Sequence, residues 1–242
     1  MTGPGTLDPG LLLGAYSVGV FPMADSRDAD SIYWVEPRRR AILPLDGFHL
    51  SRSLRRVIAA DRFRVTVDRA FRQIIALCAE AAEDRPDTWI NPIIEDAFVR
   101  LHAMGRAHSV ECWDGDRLAG GLYGLALGRA FFGESMVSRA PNASKVAIAS
   151  LVARLGAGGF SLLDCQFMTA HLASLGAQEI DRADYMALLG AALSSTGSSA
   201  ASSAASLSVE AGAGDFFALD AAAGADGAVP GKVVVQLLGQ TS

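Results

Sequence analysis

Residues Phe131 to Gln166 restrict the possible folds of this chain more than any other stretch. The run Phe131-Phe-Gly-Glu-Ser-Met136 and the run Leu162-Leu-Asp-Cys-Gln166 are both short, apolar at the start and acid-bearing at the end. Between them Asn142-Ala-Ser-Lys145 opens an apolar helical pattern. Strand, helix and strand in this order put Glu134, Asp164 and Gln166 near strand ends, where α/β sheets hold their ligands.

The rest of the chain sets the bounds. Its 242 residues, half of them apolar, suit one large domain or a main domain with a small companion. No apolar run is long enough to span a membrane, and the start Met1-Thr-Gly-Pro-Gly-Thr6 has no signal-peptide character. Cys78, Cys112 and Cys165 are odd in number and unclustered, which argues against a disulfide framework or a cysteine zinc site. The expectation is a soluble, cytoplasmic protein. The net charge of −5 disfavours a general nucleic-acid binder, yet ten Arg against three Asp fall between Arg38 and Arg72. Clustered arginines can neutralise phosphates even on an acidic protein. A solvated helix face is the plainer alternative.

Taken in order, Asp8-Pro9 and Asn91-Pro92 read as N-cap and first-turn proline pairs opening helices. Ile32 to Val35 is strand-like, and Ser51 caps a short helix. From Phe63 onward the apolar periodicities predict the order β-α-α-β-β-β-α-β-α-β-α. Such an order fits a mixed, partly antiparallel sheet with helices on its faces. The expected fold class is therefore α/β (α+β), an acetyltransferase-like mixed sheet plus a small N-terminal subdomain. The boundaries expected are 1–38 for the subdomain and 39–193 for the catalytic domain. Of the residues from Gly190 to Gly214, 21 of 25 are Ala, Ser, Gly or Thr, so this stretch reads as a flexible linker. The region 194–242 is thus expected to be that linker followed by a possible edge strand at Lys232 to Leu238.

Several side chains could carry chemistry. Asp164 and Gln166, two apart on a strand, point to one face. Together they could orient and polarise an attacking amine, or form a structural hydrogen-bond pair. Glu134, beside two phenylalanines, needs a partner if buried. That partner could be a bound cation or an internal arginine such as Arg139. Cys165 is expected to face the core as a small hydrophobe. His102, His108 and Glu111 straddle a helix, a turn and a strand, without metal-ligand spacing.

Read together, ordered motifs say more. They are Gly19-Val-Phe-Pro22, Trp34 through Pro37-Arg38, His49-Leu-Ser-Arg-Ser53, Thr88-Trp-Ile90 and Ala107-His-Ser-Val-Glu111. Gly120-Gly-Leu-Tyr-Gly124, Phe132-Gly-Glu-Ser-Met136, Asn142-Ala-Ser-Lys145, Asp164-Cys-Gln166 and His171-Leu-Ala-Ser-Leu-Gly-Ala177 follow. From Leu7 to Leu189 the chain resembles the leucyl/phenylalanyl-tRNA–protein transferases. The resemblance implies transfer of Leu or Phe, less readily Met, from aminoacyl-tRNA to proteins with N-terminal Arg or Lys, which marks them for N-end-rule degradation. It implies no metal and no organic cofactor. By motif it makes Asp164, Gln166 and Glu134 catalytic. Phe131, Met136, Ile148, Leu151 and Leu163 would line an apolar pocket. Trp34 would join the substrate pocket, Trp89 and Asn142 would lie near the aminoacyl-adenosine end, and Arg52, Arg55 and Arg56 would meet tRNA phosphates. The chain departs from the family at Met23, where Trp is frequent, and at Phe98 and Leu122, which can be Tyr and Met. The fold order taken alone leaves a coenzyme A-dependent N-acetyltransferase as the alternative.

Overall fold

In the computed structural model, which describes residues 6–81, 87–194, 212–224 and 228–240, the N-terminal unit is a capped helix and a hairpin. Helix α1 (Pro9–Ser17) starts as its sequence dictates, with the Asp8 side chain accepting from the Leu11 amide at 2.9 Å. Strands β1 (Phe21–Met23) and β2 (Tyr33–Val35) pair antiparallel in a two-stranded sheet.

The main unit adds β3 (Arg39–Ile42), α2 (Arg52–Ala59), β4 (Arg64–Val67), α3 (Phe71–Ala79) and α4 (Pro92–Ala103). Next come β5 (Ala107–Asp114), β6 (Arg117–Leu127), β7 (Ala130–Ser138), α5 (Ala143–Ala157) and β8 (Leu162–Gln166). Helix α6 (Ala170–Ala173), β9 (Gln178–Asp181) and α7 (Arg182–Leu193) follow. From β4 to α7 this is the order predicted from the periodicities. The seven strands form one mixed sheet in the order β4-β5-β6-β7-β8-β3-β9, antiparallel except for the β7–β8 pair. Strand β3 went unread in the sequence. It is only four residues long, opens with two arginines and owes its place to β8 and β9 on either side.

Two apolar layers cover the sheet. Helices α1, α3, α4 and α7 bury Leu12, Ile74, Phe98 and Leu189 on one face. On the other, α5 is buried on every side, its Ala and Ser positions admitting neighbours closely. Two further helices, α8 (Ala218–Ala223) and α9 (Gly231–Gly239), close over α5 and α2. The edge strand expected at Lys232 to Leu238 is thus corrected to helix α9. Val234 and Leu238, four apart, both face the core. The Val-rich run is strand-prone by propensity, but an apolar face awaiting cover overrides propensity. Gly231 allows the approach, since a Cβ there would collide with the Ile58 carbonyl oxygen. Of the region 194–242 expected as flexible linker and edge strand, 195–211 lies outside the described residues, whereas 212–224 and 228–240 are corrected to structure that packs on the core through Phe216, Leu219, Val234 and Leu238. No helix among the described residues is long and apolar enough to cross a membrane.

The parallel pair sets up the site. Strands β7 and β8 are in register from Ala130↔Leu162 to Phe132↔Asp164 and then part, while β7 runs on to Ser138. A cavity opens where pairing stops.

Candidate active site

The cavity has a volume of about 890 Å³ and lies between the ends of β7 and β8 and the buried helix α5. Met136 from β7, Ile148 and Leu151 from α5 and Leu163 from β8 give it an apolar wall, and Trp89 lines it from before α4. Glu134 and Gln166 supply polar groups.

Glu134 is buried. Its two carboxylate oxygens accept from two different donors, the Tyr16 hydroxyl at 2.8 Å and the Gln166 Nε2 at 3.0 Å. Neither donor carries a charge. Burial therefore dominates and pushes the Glu134 carboxyl up to about 8, against the pull of the two hydrogen bonds and of Arg40. Arg139, the arginine weighed as a partner for Glu134, pairs with Glu80 instead, and no arginine forms an ion pair with Glu134 among the described residues.

Asp164 lives differently. It is fully buried and accepts from Arg40 Nε (2.9 Å) and Nη2 (2.6 Å), the Tyr185 hydroxyl (2.8 Å) and the Gln166 backbone amide (2.8 Å). Arg40 is itself buried, held between the rings of Phe21 and Tyr185 at 4.6 and 4.7 Å, and it donates to the Gly19 carbonyl. Asp164 is not among the residues lining the cavity.

The two strand-end residues are therefore not side by side on one face. Gln166 has φ of 62°, in the left-handed region that a glutamine seldom occupies. The β3–β8 register slips at the same place. That twist breaks alternation, so Gln166 and its neighbour Cys165 both line the cavity while Asp164 turns away. Cys165 packs against the apolar core, as expected, and also borders the cavity. Burial and then Asp164 push its thiol far above the ordinary range, so it stays protonated and is no nucleophile.

Other expected site residues divide. Phe131 does not line the cavity; it is fully buried, stacked on Phe216 at 5.7 Å and resting against Gly124, where a Cβ would collide with its ring. Trp34 sits half-exposed on β2, away from the cavity walls. Asn142 is exposed at the start of α5 with φ of 72° and makes no side-chain cap bond. Arg52, Arg55 and Arg56 project from α2 into solvent and form no ion pair among the described residues. His102, His108 and Glu111 serve the fold: His108 pairs with Asp68 at 2.7 Å and Glu111 accepts from Thr66 and Ser109. No three such ligands gather around a point among the described residues.

Tyr16, Arg40 and Tyr185 were missed as members of the site. Tyr16 and Tyr185 each stand in a largely apolar helix as ordinary core aromatics, and Arg40 is one of ten in a charge cluster. Only a carboxylate demanding a buried donor could have pointed to them.

A mixed sheet whose one parallel pair parts over an acid-and-amide cavity, with a helix walling it, defines an α+β enzyme built around a strand-end site. The comparisons give that class its family. The model of the leucyl/phenylalanyl-tRNA protein transferases matches residues 42–190, and that of their N-terminal domain matches 5–38. A leucyl/phenylalanyl-tRNA–protein transferase of Rhizorhabdus wittichii is 61% identical over 98% of this chain and 99% of its own length. One from Zymomonas mobilis is 64% identical over 78% of this chain and 70% of its own length, and one from Phenylobacterium zucineum 49% over 96% of each. The chain belongs to the leucyl/phenylalanyl-tRNA protein transferase family and is an aminoacyltransferase.

Proposed function

We propose that this protein moves Leu or Phe, less readily Met, from aminoacyl-tRNA to the α-amino group of proteins beginning with Arg or Lys, marking them in the cytoplasm for N-end-rule degradation. The observation that carries the reading is the division of the cavity into an apolar wall and a polar pair. Met136, Ile148, Leu151 and Leu163 offer an aliphatic or aromatic side chain a dry surface, while Gln166 and Glu134 meet the reacting groups. Such a wall rejects polar side chains and separates Leu from Phe only weakly, since one methylene in a pocket is worth about 1–3 kcal/mol.

In the reaction the substrate amine forms a C–N bond at the aminoacyl ester carbon. The ester C–O bond breaks, and the amine's proton leaves with the ribose oxygen. Gln166 holds the amine by its carboxamide oxygen, because its nitrogen is occupied by Glu134. Asp164 acts at one remove. Its four donors leave it no path to an amine, and its bond to the Gln166 amide keeps that residue in its left-handed backbone. Trp89 shares the cavity and stacks on the adenosine end. Trp34 and Asn142 extend that contact outside it, and Arg52, Arg55 and Arg56 take the acceptor-stem phosphates.

Leucyl-tRNA labelled in its amino acid, mixed with a peptide beginning with Arg, tests the reading. Label should reach the peptide, and Asp164→Ala should abolish the transfer. Acylation from acetyl-coenzyme A with none from charged tRNA would sink the proposal in favour of the acetyltransferase alternative.

A further inference from the structure

A carboxamide has nearly the same shape both ways round, yet one end accepts hydrogen bonds and the other donates. Which end of Gln166 faces the cavity therefore decides whether an incoming amine is held or repelled. Asp164 does not settle this, because it bonds the Gln166 backbone and not the side chain. Glu134 is the group in contact with the carboxamide. As a carboxylate it only accepts, so it draws the nitrogen and leaves the oxygen to the cavity. As a carboxylic acid it could donate to that oxygen and turn the group around.

Glu134 is anchored from the other unit of the molecule. Tyr16 belongs to α1, is fully buried, and lies edge-on to Phe132 and Phe98 at 5.0 and 6.5 Å, so packing aims its hydroxyl. That hydroxyl reaches the Glu134 oxygen that Gln166 leaves free. With both oxygens accepting, the two hydrogen bonds favour the ionised form against the burial that favours the neutral one.

We propose that Tyr16 is a positioning residue for aminoacyl transfer: by donating to Glu134 it fixes the Gln166 carboxamide with its oxygen toward the cavity. The N-terminal unit thereby completes the site. This rests on the transfer reading given above and adds a requirement that reading does not contain.

The charged and titratable groups around Glu134 are Tyr16 on α1, Asp164 on β8 and Arg40 on β3. Of these Tyr16 is the one that can be altered by a single oxygen atom. The Tyr16 hydrogen bond lowers the Glu134 carboxyl from where burial alone would put it. Removing the bond raises it, and the ionised fraction at a given pH falls.

The test compares wild type, Tyr16→Phe, Glu134→Gln and the double variant in the charged leucyl-tRNA assay from pH 6 to 9.5. Tyr16→Phe should cut kcat at pH 7 roughly tenfold, as expected for losing one hydrogen bond to a charged group. It should move the acid limb of the profile up by about one pH unit and leave KM for charged tRNA within about twofold of wild type. In the Glu134→Gln background the same change should cost almost nothing. An acid limb that stays put, or full additivity in the cycle, overturns the proposal. Should Tyr16→Phe fail to fold, 3-fluorotyrosine at position 16 replaces it. Its more acidic phenol should move the limb down, and an unmoved limb again overturns the idea. Independently of turnover, the side-chain amide resonance of Gln166 should shift with pH around 8 in wild type and at higher pH in Tyr16→Phe. A wild type inactive at every pH defeats the transfer reading. An active wild type matched by Tyr16→Phe defeats only the positioning role.

Discussion

Two carboxylates stand on neighbouring parallel strands close to where their pairing stops, and their surroundings make them different reagents. Asp164 is sealed among Arg40, Tyr185 and a backbone amide, with a cation to neutralise it. Glu134 has two uncharged donors and a share of the cavity wall. One is therefore a fixed strut. The other is poised near neutrality, where a proton comes and goes. Burial is common to both; Asp164 has a cation for a partner, and Glu134, which has none, is the carboxyl that burial pushes up.

The strongest way to break this contrast is to take the cation from Asp164. Arg40→Met should cost about 3–5 kcal/mol in a denaturant titration, because it leaves a buried carboxylate unpaired. Transfer should be lost with it, since Gln166 depends on Asp164 for its backbone. A fully active, stable Arg40→Met protein would show that the strut is dispensable.

The next effect separates activity from stability. Gln166→Gly should lower kcat by about 100-fold, in the range expected for losing a group that holds a reacting proton. It should also raise stability by roughly 1 kcal/mol, because glycine adopts φ of 62° without strain. Thermal unfolding and turnover measured on one preparation would decide it. A fall in both would mean that the side chain, not its backbone, stabilises the strand end.

Glu134→Gln sharpens the other half of the contrast. The folded carboxyl stands near 8 and the ordinary value is 4.5. The unfolded chain thus loses its proton first as pH rises, and wild-type stability is present below 4.5 and declines between 4.5 and about 8. The glutamine variant lacks that decline. Its stability relative to wild type should increase from pH 5 to pH 8.5, by on the order of a few kcal/mol. A constant difference would place Glu134 in a more polar setting.

The smallest effect belongs to the exposed cations, in contrast with buried Arg40. Replacing Arg52, Arg55 and Arg56 together should leave the unfolding midpoint within about 0.5 kcal/mol. It should raise KM for charged tRNA and flatten its salt dependence by about one logarithmic unit for each phosphate no longer neutralised. An unchanged slope moves the tRNA interface elsewhere.

Much of the architecture was legible. The element order from Phe63 to Leu193 followed from periodicity and capping, with Asp8, Asn91 and Asp181 each accepting from an amide three residues on. The apolar wall was legible through the motifs, and Met136, Ile148, Leu151 and Leu163 do share the cavity. Phe131 was not, because whether a strand residue faces a cavity or a packed ring depends on Phe216, which lies on a segment with no sequence signal of its own. Helix α9 was misread because its Val run expresses a local preference that burial against α2 and α5 reverses.

By itself, the sequence determined the family, the mixed sheet and the placing of Glu134, Asp164 and Gln166 on the two strands joined by α5, since these follow from short-range pattern and ordered motifs; Glu134, expected at a strand end, lies inside β7, which runs on to Ser138. The tertiary structure alone decided which acid is caged and which faces the cavity. Tyr16 comes to Glu134 from 118 residues away and Arg40 to Asp164 from 124. The proton affinity of a carboxylate is fixed by the charges and donors within a few ångströms of it. Those neighbours are chosen by folding and not by adjacency in the chain.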